Sequence, residues 1–197
     1  MSKPDQENRM RKRFTVNREA REITMERIFD APRELVWKVW MNPDLIPQWW
    51  GPKTLVTTVI EMDLRPGGRW RFIQRDPNGM EYAFNGVYRE IVPPERVVAT
   101  FNFEPIGPGH ELVEIVTFEE QDGKTKLTSK AVYNTLEDLE GMLKSGMEEG
   151  ATETMDRFVE LLKANVGKIV VQVAAVFPRC NAAAARKRSD AMLFIIA

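Results

Sequence analysis

From Thr54 to Tyr133 the chain reads as one strand after another, each stopped by a short turn signal. No other feature limits its fold so tightly. Thr54–Met62 is rich in β-branched residues, which suit a pleated, half-buried surface. Arg65-Pro66-Gly67-Gly68 then places Pro and Gly where a type II turn wants them. Further strands are expected at Gly68–Arg75, Met80–Val92, Arg96–Glu104, Leu112–Glu120 and Thr125–Tyr133. Between them stand Asp76-Pro77-Asn78-Gly79, Pro93-Pro94, the loop Pro105 to Gly109, and Gln121-Asp122-Gly123-Lys124. Connections this short set neighbours antiparallel, so a meander is predicted.

Helical signals flank these strands. Ile23–Phe29 forms an earlier strand, stopped by Asp30-Ala31-Pro32, where Asp30 suits an N-cap and Pro32 a first helical turn. A short helix through Glu34–Trp40 is broken by Asn42-Pro43, and a second helical stretch from Asp44 to Trp50 ends at Gly51-Pro52. After Tyr133 the residues Leu136, Leu139, Leu143, Met147, Ala151, Met155, Phe158 and Leu162 recur at steps of three or four. That spacing predicts one continuous amphipathic helix. Its other face is acidic, with Asp156 and Glu153 among its carboxylates and Lys144 and Arg157 against them, and it reads as solvated. The order predicts an α+β fold in which one twisted sheet folds around the last helix.

The two ends differ from this centre. Residues 1–19 are polar and charged, read as a flexible, solvated tail. Residues 165–197 run from VGKIVVQVAAVF through AAAARKR to AMLFIIA, with no clean period, and read as an atypical C-terminal extension outside the fold.

Composition excludes several kinds of chemistry. There are 28 Lys and Arg against 29 Asp and Glu, a net charge of -1, without the basic surplus that nucleic acid or an anionic membrane demands. One cysteine, Cys180, cannot form an intramolecular disulfide and fits a reducing cytosol. One histidine, His110, rules out a multi-histidine metal site. The longest apolar run, Ile169–Phe177, is about half of a bilayer span. A cytoplasmic protein without cofactor, metal, nucleic-acid partner or membrane insertion is expected, and a homodimer is left open.

Alternation puts Trp70 with Phe72, Tyr82 with Phe84, and Phe101 with Phe103 on shared strand faces. Such aromatics are either plain core or the wall of a mostly apolar small-molecule site. In the pair Trp49-Trp50, adjacent helical positions point about 100° apart, so one can be buried while the other lines a cavity mouth. Gly146 and Gly150, one helical turn apart, suggest close approach or vacant space, because glycine costs a helix about 1 kcal/mol. Glu61, Arg71, Tyr82, Asn85 and His110 are the polar candidates for acid–base work, and no spacing among them specifies a mechanism. No catalytic residue is assigned.

The run Glu26-Arg27-Ile28-Phe29-Asp30-Ala31-Pro32-Arg33-Glu34-Leu35-Val36-Trp37, followed by Asn42-Pro43-Asp44-Leu45 and Gln48-Trp49-Trp50-Gly51-Pro52, resembles the opening of the activator-of-heat-shock-ATPase-like domains. Asp63 to Gly68, Asp76 to Gly79, Gly86-Val87-Tyr88 and Glu90 to Arg96 continue the resemblance in order, over about residues 20–164. These domains belong to the START-like, or SRPBCC, superfamily. The resemblance implies a helix-grip fold, a curved antiparallel sheet wrapped around a long C-terminal helix with a cavity between them, and a place in stress response. The implied cavity would be lined by Trp50, Trp70, Phe72, Tyr82, Phe84, Phe101, Phe103, Met142, Gly146, Met147, Gly150 and Ala151. Relatives commonly carry a bulky aromatic after the glycine matching Gly150, where this chain has Ala151. Three functions are implied, in order of preference. The first is non-catalytic binding of a small apolar ligand, and the second is a cyclase- or hydrolase-like activity in the same cavity. The third is regulation of the ninety-kilodalton heat-shock chaperone. Eukaryotic activators carry an added N-terminal domain that residues 1–19 are too short to form, so a chaperone partner ranks last.

Overall fold

The fold begins before Ile23. In the computed structural model, which describes residues 12–176 with side chains through Ala164, Lys12–Asn17 forms strand β1. The sequence reading had placed these residues in a flexible tail, because charge counting hides the alternation of Phe14 and Val16 with Arg13, Thr15 and Asn17. Phe14 and Val16 pack inward onto Ile23, Leu112, Tyr133 and Leu139, and β1 pairs along β2 (Glu22–Phe29).

Helix α1 (Arg33–Trp40) and the short α2 (Ile46–Trp49) lead into β3 (Val56–Met62), β4 (Arg69–Arg75), β5 (Glu81–Val92) and β6 (Arg96–Phe103). Pro32, not Asp30, occupies the N-cap of α1; the Asp30 carboxylate instead meets Lys124 Nζ at 3.0 Å. A 3-10 turn, Glu104–Ile106, precedes β7 (Leu112–Gln121) and β8 (Lys124–Val132). All neighbouring strands are antiparallel, in the order β1-β2-β8-β7-β6-β5-β4-β3. Register shifts at Val59/Glu61 in β3 and at Tyr88/Glu90 between β5 and β6 mark bulges, which bend a sheet and sharpen its twist. The result is the open, curved sheet and C-terminal helix of the helix-grip fold.

The predicted single helix is two. Helix α3 (Leu136–Lys144) ends at Ser145, and α4 (Met147–Val176) starts after Gly146, whose φ of +78° is a left-handed conformation that ends helices. The apolar repeat runs straight across this break because the bend returns α4 to the same concave face. Leu136, counted into that stripe, is 47% exposed. The chain divides after Leu162, and all eight strands lie in the first unit. Residues 165–176, expected outside the fold's regular structure, continue the α4 backbone. The stretch AAAARKR and the end AMLFIIA lie outside the described residues.

Phe158 of α4 anchors the closed end of the core. It is fully buried, with its ring 5.1 Å from Phe29, 5.3 Å from Trp40 and 4.8 Å from Trp49. Full burial of such a side chain contributes about 1.5–3 kcal/mol. Two residues read as solvated have structural work here. Asp156 accepts from Lys12 Nζ at 2.8 Å and pairs with Arg27, joining α4 to β1 and β2. Burial tends to raise its carboxyl, yet the hydrogen bonds from Lys12 and Arg27 outweigh that and hold it below the usual range. Arg157 donates to the carbonyls of Gly51, Pro52, Pro47 and Gln48, fastening α4 to α2 and the segment after it.

Candidate functional site

Strand register assembles an aromatic wall. Phe72 lies opposite Phe84, and Phe84 opposite Phe103, so three adjacent strands put phenyl rings side by side on the concave face. Phe84 and Phe103 stack at 4.9 Å, and Phe101 joins through Phe84 at 5.7 Å and Trp70 at 5.6 Å. Trp70 is fixed in turn by its indole N–H, which donates to the Thr100 carbonyl at 3.2 Å. Aromatic pairs of this kind contribute about 0.5–1.5 kcal/mol beyond their burial, so the wall is stiff.

The tryptophan pair divides its tasks. Trp49 is 1% exposed and belongs to the plug around Phe158, whereas Trp50 is half-buried and sets its ring edge-on to Phe72 at 5.2 Å and Phe84 at 5.1 Å. Its position depends on Gly51. With φ at +88°, Gly51 turns the chain sharply, and an added Cβ would lie 1.7 Å from Gln74 Nε2. Thr57 Oγ1 donates to the Trp50 carbonyl at 2.7 Å and completes the support.

Not every expected residue joins this wall. Tyr82 shares its face, but its hydroxyl turns to the exposed Met80 sulfur at 3.4 Å. Gly146 serves the break between α3 and α4 rather than a vacant space. Met142 and Met147 pack with Leu143 and Phe101 onto Ile23, Leu112, Tyr133 and Leu139. Gly150 and Ala151 are half-buried, and a Cβ built at Gly150 meets nothing within 4 Å. On the inward face of α4, Met155, Phe158 and Leu162 are 4%, 0% and 4% exposed, so this face is sealed there, whereas Ala151 is only half-buried. Phe84, Phe101, Phe103 and Trp50 are likewise half-buried.

An acid lies on the same concave face. Glu114 of β7 stands opposite Ala99 on one side and Ala131 on the other, and Tyr88 faces Ala99 from the next strand. The alanines on both flanks offer the carboxyl no polar partner. Its Oε1 accepts from Ser129 Oγ at 2.7 Å, the one hydrogen bond to this carboxyl among the described residues. Burial raises the Glu114 carboxyl, with the Ser129 bond opposing, although the residue keeps partial exposure. Tyr88 and Tyr133 are pushed up by burial first and by the charge of Glu114 second. The sequence reading missed Glu114. The signal was present in Leu112, Glu114, Val116 and Phe118, where an acid takes an inward position between apolar ones.

The polar residues singled out from sequence lie elsewhere. Arg71 and Asn85 are register partners on the convex face. Arg71 donates to both Glu104 oxygens, at 2.7 and 2.9 Å, and Asn85 Nδ2 donates to Oε1 at 2.8 Å. Glu61 is exposed, and His110 Nδ1 lies 2.5 Å from Asp138 Oδ1 at the start of α3. A groove of about 310 Å³ also lies on the convex face, lined by Val56, Thr58, Ile60, Ile73 and Arg75 among others, and shares no residue with the aromatic wall. Among the described residues no group of His, Cys, Asp or Glu is placed to hold a metal ion, and no helix is long and apolar enough to cross a membrane.

Comparison with known proteins adds a family. Residues 30–163 match the profile described as Activator of Hsp90 ATPase homolog 1-like protein. Among solved structures, a Mycobacterium smegmatis protein is 28% identical with a TM-score of 0.69, the match covering 76% of this chain and 95% of that one. A protein from Arthrobacter aurescens is 23% identical with a TM-score of 0.72, covering 78% and 92%. The AHSA1 protein of Silicibacter pomeroyi is 23% identical with a TM-score of 0.61, covering 73% and 99%. The two matches under 25% identity speak for the fold alone. A search of curated proteins found no match.

Proposed function

The chain belongs to the Activator of Hsp90 ATPase homolog 1-like family of START-like domains, and from that premise we infer that its concave cavity binds a small apolar molecule without transforming it. One observation carries this reading: on the concave face the rings of Trp50, Phe84, Phe101 and Phe103 stay half-buried beside the buried Phe72, and Ala151 on the inward face of α4 is half-buried as well. A folded chain gains by sealing such rings, so rings left accessible on a concave face favour an apolar occupant. The lining is Trp50, Phe72, Phe84, Phe101 and Phe103, with Ala151 across from them.

Catalysis in the same cavity is a second reading, favoured by Glu114 with Tyr88 and Tyr133 nearby, since general acid–base groups need such environments. Regulation of a heat-shock chaperone rests on the family's description alone. Native mass spectrometry of freshly purified protein, paired with uptake of the fluorescent apolar probe 1-aminoanthracene, tests the first reading. A co-purifying small molecule, displaced by the probe, is expected. Absence of both an adduct and probe uptake overturns it.

A further inference from the structure

Resting on the ligand-binding reading above, we propose that Glu114 selects the polar end of the ligand: the cavity takes apolar molecules bearing a hydrogen-bond donor, an amine or hydroxyl, and rejects those bearing an anion.

Glu114 is centrally placed for this role. It lies on β7, with β6, β5, β4 and β3 on one side and β8, β2 and β1 on the other, and it faces the concave side. Its neighbours in register, Ala99 and Ala131, carry small apolar side chains without a polar group to engage the carboxyl. Ser129 engages Oε1 at 2.7 Å, which orients the group while leaving acceptor capacity on the other oxygen. A carboxylate can accept through either oxygen, and a lone serine hydroxyl does not saturate it.

The surrounding charges exclude an anionic partner. Lys12 and Arg27 are the cations on the concave face of β1 and β2, and both are engaged by Asp156 of α4. Arg27 stands opposite Leu127, four residues along β8 from the Ala131 that faces Glu114. Arg71 lies on the convex face with Glu104. Among the described residues, therefore, no cation is paired with Glu114. The Ser129 hydroxyl bonds it, and the phenols of Tyr88 and Tyr133 feel its charge. In its ionised form the carboxylate accepts from a donor and repels a second negative charge.

The test compares two fluorescent tricyclic compounds of nearly equal size, 1-aminoanthracene and 1-anthracenecarboxylate, binding to the full chain near neutral pH. Wild-type protein is expected to prefer the amine by about tenfold or more, the scale of one hydrogen bond to a charged acceptor. Glu114→Gln keeps the side-chain volume and should narrow the preference to about threefold or less. Arg71→Ala, on the convex face, should leave the preference intact. Equal binding of both compounds to wild type overturns the selectivity and leaves the apolar cavity standing, as does a preference that survives Glu114→Gln unchanged. Binding of neither compound overturns the cavity and the selectivity together. The wild-type comparison needs no variant, so a poorly folded Glu114→Gln protein does not block it.

Discussion

Two acids, ten positions apart in sequence and on opposite faces of the sheet, show what environment does to a carboxyl. Glu104 receives both Arg71 nitrogens and the Asn85 amide, and these bonds lower it to about 2, with burial working the other way. Glu114 has only Ser129, and burial raises it. The first is a structural fastener and the second an unfinished polar site. A group whose folded value is depressed stabilises the fold above its unfolded value and loses that effect as pH falls through the folded one. Wild type should therefore be more stable than Glu104→Gln near pH 6, and the gap should close between about pH 4.5 and 2. Urea midpoints at four or five pH values measure it; a gap independent of pH would show that the Arg71–Glu104 pair adds nothing through charge. Both acids were visible in the sequence. What alternation could not tell was which face of each strand would be concave, so Arg71 and Asn85 were weighed as site residues and Glu114 was passed over.

At the scale of elements, the long apolar stripe after Tyr133 was legible, but its interruption was not. A period of three to four survives a bend that returns the helix to the same surface, so Leu139, Leu143, Met147 and Met155 still read as one face. Gly146 was the clue, and its φ of +78° makes it a hinge residue rather than empty space in a helix wall. Thr135 caps the preceding helix through a 3.0 Å bond from the Asp138 N–H, fixing where α3 begins. Gly146→Ala is expected to cost about 1–2 kcal/mol, because an L side chain resists that conformation. If instead the variant is more stable than wild type in chemical denaturation, a straight helix is accessible and the break is not imposed by the fold. Strand β1 was missed for a related reason. Six residues of which four are polar weigh as a polar tail by composition, and only pairing with β2 reveals Phe14 and Val16 as core.

At the scale of the molecule, sheet, helix and their curvature decide whether the concave side is filled or open, and Ala151 is where the two outcomes part. The turn signals made the antiparallel order readable, since each short connection leaves its strands few partners but each other. They could not show the depth of the curve, which arises from bulges at Val59/Glu61 and Tyr88/Glu90 that carry no turn residues. Depth governs the space before Ala151. On the inward face of α4, Met155 and Phe158 are sealed, whereas Ala151 is half-buried and Gly150 has nothing within 4 Å of an added Cβ. The pocket reading requires that the space before Ala151 take an indole without moving the sheet. Ala151→Trp should keep or raise the melting temperature of ligand-free protein, while its affinity for 1-aminoanthracene falls because the ring takes the probe's place. A core that had collapsed onto Ala151 would respond in the opposite way, since overpacking costs about 1–3 kcal/mol and a probe bound elsewhere is undisturbed. Melting temperature and probe affinity, measured on this one variant, separate the two: a lowered melting temperature with unchanged affinity would sink the pocket at this position.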